Sequence, residues 1–152
     1  NCMVNAVAGL TGMTSSGVRE NPISRALFLK LGSEAIRVGR SLGYNIVPPF
    51  KGFSLDDLEK AAWEGLPELE AVISQPSLVP GTPSLLQDIL RKRPTEIDYL
   101  NGYVARRGAS IGVPTPYSVA ATTVIKGIEA GEFQTGIKNV DKVNSMAQSA
   151  AQ

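Results

Sequence analysis

The chain has 152 residues and a formal charge of +1, with 43% hydrophobic and 19% charged residues. That is the balance of one globular domain, and it carries no electrostatic footprint for nucleic acid or an anionic membrane. Histidine is absent and Cys2 is the single cysteine, which excludes a His/Cys zinc centre, a Ser-His-Asp triad, a Cys-His dyad and a disulfide framework, and points to a reducing, cytoplasmic setting.

No apolar run reaches the ~20 residues that span a bilayer, and no signal-peptide pattern opens the chain. The first residue is Asn1, already in a helical pattern, so a piece of a longer gene product is expected. Apolar residues recur at helical spacing almost throughout, and no strict alternation marks a strand. A first apolar helix is expected from residue 1 to about 13, interrupted by Gly9 and Gly12, then a loop over Thr14-Ser15-Ser16-Gly17. Asn21 as N-cap and Pro22 as first helical residue open a long helix. Ile23, Ala26, Leu27, Leu31, Ala35, Val38 and Leu42 hold its period, and Gly43 stops it.

Residues 45–51, with Pro48-Pro49, read as a connector. Ser54 caps a helix bearing Leu55, Leu58, Ala62 and Trp63, and a shorter helix covers Pro67 to Ser74. Residues 75–82 form a Pro/Gly-rich linker. A helix from Pro83 to about Arg93 breaks at Pro94, and Thr95 caps the next, which runs to Ile111 with Thr95 and Asp98 in the capping-box relation. Gly112, Pro114 and Pro116 punctuate, Ser118 to Ala130 is helical, and Gly131 ends it. Residues 134–152 read as a polar C-terminal tail that frays from Lys138 onward. The expected architecture is all-α: one domain of about seven helices with mostly short connections.

Neither a dinucleotide-binding G-x-G-x-x-G after a strand nor a P-loop is present. Three constellations could bind a ligand. Asn1 and Asn5 stand four apart on one helical face, and amides suit a ligand bearing both hydroxyl and carbonyl groups; solvent exposure or a backbone hydrogen bond explains them equally. Ser84, near the start of a helix after Gly81-Thr82-Pro83, lies where free N–H groups favour an anion such as a carboxylate, though ordinary capping accounts for the same residues. Glu96 sits in a first helical turn. There a carboxylate can accept from a ribose or substrate hydroxyl, or merely complement the helix dipole. Arg91-Lys92-Arg93 and Arg106-Arg107 read as solvated faces. Trp63, Tyr99 and Tyr103 read as core or interface residues, and Cys2 as a buried small hydrophobe.

Taken in order, Ser84, Gln87-Asp88, Thr95-Glu96-Ile97-Asp98, Asn101-Gly102 and the turn Gly112-Val113-Pro114-Thr115-Pro116 closely resemble the C-terminal signature of the ketopantoate reductase (2-dehydropantoate 2-reductase) family. The opening Asn1 to Asn5 is similar to that family's Asn-x-x-x-Asn helix, and residues 1–133 are covered. The resemblance implies a helical substrate domain with the 6-phosphogluconate dehydrogenase C-terminal-like fold. Its partner would be an N-terminal Rossmann domain that lies outside this chain and binds NADPH. It further implies a 2-keto acid substrate and homodimerisation. Asn1, Asn5 and Ser84 would bind the substrate and Glu96 the cofactor. The family's general acid is a lysine one helical turn before Asn1, so no catalytic residue is expected within these residues. A further substrate-side asparagine is replaced by the Thr14-Ser15-Ser16 stretch. The alternative function is a non-catalytic helical dimerisation or interaction domain on the same scaffold.

Overall fold

Helix-forming segments separated by glycine and proline dictate a bundle. The computed structural model describes residues 1–75 and 81–150. Within these it contains α1 (Val4–Thr11), α2 (Ser15–Glu20), α3 (Pro22–Ser41), α4 (Leu55–Trp63), α5 (Pro67–Ile73), α6 (Ser84–Leu90), a 3-10 turn (Ile97–Tyr99), α7 (Asn101–Ser110), α8 (Pro116–Glu129) and α9 (Lys138–Ser149), and no strand. The expected all-α class holds.

The core is built around α1. Ala6, Val7, Ala8 and Leu10 are all fully buried, so this helix is enclosed on most of its surface and is packed against α2, α3, α6, α8 and α9. Gly9 lacks a side chain where Leu85 of α6 presses against it. Around α1 run α3 and α8, whose stripes Leu27, Leu31 and Val38, and Ala121, Val124, Ile125 and Ile128, face inward.

Local chemistry sets the helix ends. Asn21 Oδ1 accepts from the N–H groups of Ile23 and Ser24 at 3.0 and 3.1 Å, and Gly43, with φ of +78°, follows the end of α3. Ser54 and Asp57 form a complete capping box on α4. No threonine caps α8; α3 supplies the acceptor instead. Glu34, at 0% exposure, accepts from the N–H of Tyr117 at 2.8 Å and of Ser118 at 2.7 Å. Burial drives its pKa up, against the pull of these bonds and the charge of Arg37.

The structure corrects several expectations. Thr14 to Gly17 is no loop: Thr14 accepts from Gly17 N–H at 3.2 Å and starts α2, which Val18 anchors in the core. The segment 134–152 does not fray through its described part. It contains α9, with Val140, Val143 and Ala147 buried against the bundle. The helix expected from Thr95 to Ile111 is broken at Leu100, and Thr95 accepts from Ile97 N–H at 3.2 Å while Asp98 pairs with Lys126 rather than completing a capping box. Pro83 occupies the cap position of α6, which begins at Ser84, and the Thr82 carbonyl accepts from Gln87 Nε2 at 2.8 Å. Most of the linker 75–82, residues 76–80, lies outside the described residues. Tyr99 and Tyr103 are on the surface, Tyr99 at 81% exposure, and so are not part of the core. Trp63 is half-exposed, its indole N–H on Ser33 Oγ and its ring edge-on to Tyr117. Cys2 is only partly buried.

Candidate functional site

Asn1 lies just before α1 and Asn5 in its first turn, joined by Asn5 N–H donating to the Asn1 carbonyl at 3.2 Å. Asn1 is exposed. Asn5 is 7% exposed, and its Oδ1 has no hydrogen-bond partner among the described residues. A buried amide oxygen without a partner costs free energy unless some donor meets it.

Ser84 is exposed as the first residue of α6. Its neighbour Leu85 is seated on Gly9, one turn beyond Asn5, which ties α6 to α1. Glu96 is exposed at the entry to the 3-10 turn. Its backbone carbonyl accepts from Tyr99 and Leu100 N–H at 2.9 and 3.1 Å, while its side chain makes no capping bond. The carboxylate is therefore exposed and free of a capping bond to its own turn.

The segment leading into Glu96 is fastened to α8. Thr95 N–H donates to Glu129 Oε1 at 2.7 Å, and Lys126 Nζ reaches Asp98 Oδ2 at 2.9 Å and Glu129 Oε2 at 3.1 Å. Burial opposes the charge on Glu129, but the Thr95 bonds and Lys126 outweigh it and hold the carboxyl below its ordinary value. The bonds to Asp98 and Glu129 raise Lys126 above the usual lysine range.

Two side chains that the sequence reading gave no role hold this end together. Asn101, fully buried, donates from Nδ2 to the Cys2 carbonyl at 3.0 Å and so joins the start of α7 to the start of α1. Glu34 fixes the start of α8. Its sequence signal is position: Glu34 stands three after Leu31 and four before Val38, on the apolar stripe of α3. A cavity of about 770 Å³ lies between the C-terminal ends of α6 and α8, lined by residues that include Lys92, Glu129 and Phe133; it contains none of the four candidate residues. Among the described residues no cluster of His, Cys, Asp or Glu is placed to hold a metal ion, and no helix is long and apolar enough to cross a membrane.

The bundle shares its fold with part of several larger solved chains. It superposes on D-mandelate dehydrogenase, solved with NADH and anilino(oxo)acetate, with a TM-score of 0.67 at 20% identity, over 86% of this chain and 48% of that one. It superposes on a PanE/ApbA family ketopantoate reductase from Ralstonia eutropha JMP134 with a TM-score of 0.61 at 24% identity, over 86% of this chain and 38% of that one. The dimeric ketopantoate reductase of Staphylococcus aureus gives 0.61 at 21% identity, over 88% and 41%.

Residues 1–129 match the family model described as ketopantoate reductase PanE/ApbA C terminal, and the chain belongs to that family of oxidoreductases. It is 32% identical to the 2-dehydropantoate 2-reductase of Yersinia pestis over 136 residues, 90% of this chain and 39% of that enzyme. It is 26% identical to that of Pyrococcus abyssi over 133 residues, 87% of this chain and 38% of that enzyme. The chain thus spans well under half the length of these relatives.

Proposed function

We propose that this domain forms one wall of the substrate cleft of an NADPH-dependent 2-dehydropantoate 2-reductase, or of a close paralogue acting on another 2-keto acid. The observation that carries the reading is Asn5. It lies in the stretch that matches the family, and its buried amide oxygen has no partner among the described residues. A hydroxyl of a small polar acid supplies the donor that such an oxygen needs. Asn1, one turn earlier and exposed, offers a second amide to the same ligand. Ser84 offers a hydroxyl and a helix-end N–H to the substrate carboxylate.

NADPH, when bound, supplies the hydride, and an N-terminal Rossmann domain holds most of it. Glu96 fits a minor share of that binding, because its exposed carboxylate makes no capping bond and can accept from a ribose hydroxyl. The chain's own residues orient the keto acid and exclude water from one side of it. A lysine preceding Asn1 is the proposed proton donor. The protein acts as a homodimer in the cytoplasm. The reading is tested in the protein that carries this domain together with its nucleotide-binding domain: 2-dehydropantoate should drive the loss of NADPH absorbance. No turnover with any small 2-keto acid sinks it.

A further inference from the structure

The bond between Asn101 and Cys2 spans two elements that the proposed function places on the same cleft. The Cys2 carbonyl lies in the turn that leads into α1, between Asn1 and Asn5. The carbonyls on either side of it, of Asn1 and Met3, accept from the N–H groups of Asn5 and Val7 at 3.2 and 3.4 Å, whereas Cys2 accepts from Asn101 Nδ2 at 3.0 Å. Only the NH₂ of the amide can face a carbonyl, so the chemistry fixes which way Asn101 points. Its own Oδ1 is buried without a partner among the described residues, so the Cys2 bond is what orients this side chain.

Asn101 is also the first residue of α7, directly after the break at Leu100, and the 3-10 turn before that break starts from Glu96. Gly102 follows. A Cβ there would come within 3.3 Å of the Ile97 carbonyl, so the missing side chain lets the turn fold close over the start of α7. One amide therefore sets the distance between the Asn1/Asn5 face and the Glu96 turn.

We propose that Asn101 is a positioning residue that clamps the turn leading into α1 to the Glu96 turn and thereby holds the substrate-side amides in register; this rests on the cleft assignment above. Asn101 touches no substrate in this arrangement. It acts through the backbone of Cys2.

The test has two arms. In this chain, Asn101→Asp keeps the shape but removes the donor, and Asn101→Ser shortens it. Both should speed amide hydrogen exchange at Asn5, Ala6 and Val7 tenfold or more and leave Val124 and Ile125 in α8 unchanged. Unaltered exchange in α1 overturns the clamp. So does uniform acceleration, or loss of helical circular dichroism in both variants, because a clamp at one helix end leaves the rest of the bundle standing. In the reductase that carries this domain, the same variants should raise KM for the keto acid at least tenfold with NADPH Kd within twofold. Unchanged KM overturns the positioning role. An unsubstituted enzyme that turns over no 2-keto acid instead removes the cleft assignment, and the exchange arm then decides the clamp by itself.

Discussion

Glu34 carries two opposing demands on one side chain. Its carboxylate completes the N-terminus of α8, and full burial denies that charge its water. The raised pKa says that desolvation outweighs the bonds it makes. The sign follows from linkage. A carboxyl whose folded pKa is raised above its ordinary 4.5 binds its proton more tightly in the native state. It contributes stability that is fully present below that ordinary value and is lost as pH rises through the raised one. Glu34→Gln has no such loss. Its melting temperature relative to the unsubstituted chain should therefore improve as pH rises from 4 to 8; a difference constant across that range would show the carboxyl to be unshifted. Glu34→Ala leaves two buried N–H groups without an acceptor. At ~1–3 kcal/mol for each orphaned group it should cost about 2–6 kcal/mol at pH 4 and less at pH 8, where the unsubstituted chain has lost the contribution of its raised carboxyl, read by urea denaturation. Ser84 is tested in the assembled reductase. Ser84→Ala removes one bond to a charged group, worth ~1.5–3 kcal/mol, so KM for the keto acid should rise by about tenfold or more, and an unchanged KM returns Ser84 to a plain helix start.

At the scale of elements, close helix contacts depend on what a glycine faces. A Cβ on Gly108 in α7 would lie 2.6 Å from the Val113 carbonyl and 2.8 Å from Thr115 Cγ2. The chain is held there by Val113 N–H donating to the Gly108 carbonyl at 2.9 Å, so backbone must move. Gly9 meets the end of the Leu85 side chain instead, which can turn aside. Gly108→Ala should lose about 1–3 kcal/mol and Gly9→Ala less, measured by chemical denaturation; equal losses would contradict the distinction. The same scale shows what was legible in the sequence. The ends of α3 and α4 were readable because Asn21-Pro22 and Ser54 act within their own first turns. The start of α2 was hidden because Ser15, Ser16 and Gly17 are weak helix formers, held by the Thr14 cap, by Ser15 N–H donating to the distant Gly81 carbonyl and by Val18 entering the core. The break at Leu100 was hidden because Asp98 is drawn out to Lys126, 28 residues away. Asn1, Asn5, Ser84 and Glu96 were found through a family signature. Their spacing alone fits ordinary helix chemistry equally well, and the bonds that tie their elements together, such as Asn101 to Cys2, run between residues 99 apart in sequence.

The whole molecule is closed by its last described helix. Only Val140, Val143 and Ala147 of α9 enter the core, a stripe narrow enough for the segment to look polar. Yet α9 makes the most extensive helix pair of the bundle, with α8. It also reaches the central helix: Asn139 Nδ2 donates to the Leu10 carbonyl at 2.9 Å and to the Gln134 carbonyl at 2.8 Å, and Gly136 N–H donates to the same Leu10 oxygen at 2.9 Å. The end of α1 is thus satisfied by residues more than 120 positions away. Burying a valine is worth ~1.5–3 kcal/mol, so removing residues 138–152 strips about 3–6 kcal/mol of apolar burial from a fold whose total stability is ~5–15 kcal/mol. The truncated chain should lose cooperative unfolding or show a urea midpoint far below that of the intact one. Asn139→Ala separates the polar share from the apolar share. It leaves Gly136 on the Leu10 carbonyl but deprives Gln134 of its donor, so it should cost about 1–2 kcal/mol, a fall of roughly 2–8 °C in Tm at this chain length. If Asn139→Ala were as damaging as the truncation, the hydrogen bonds rather than the valine stripe would close the bundle. If truncation left the midpoint unchanged, α9 would be an appendage and the core would be complete without it.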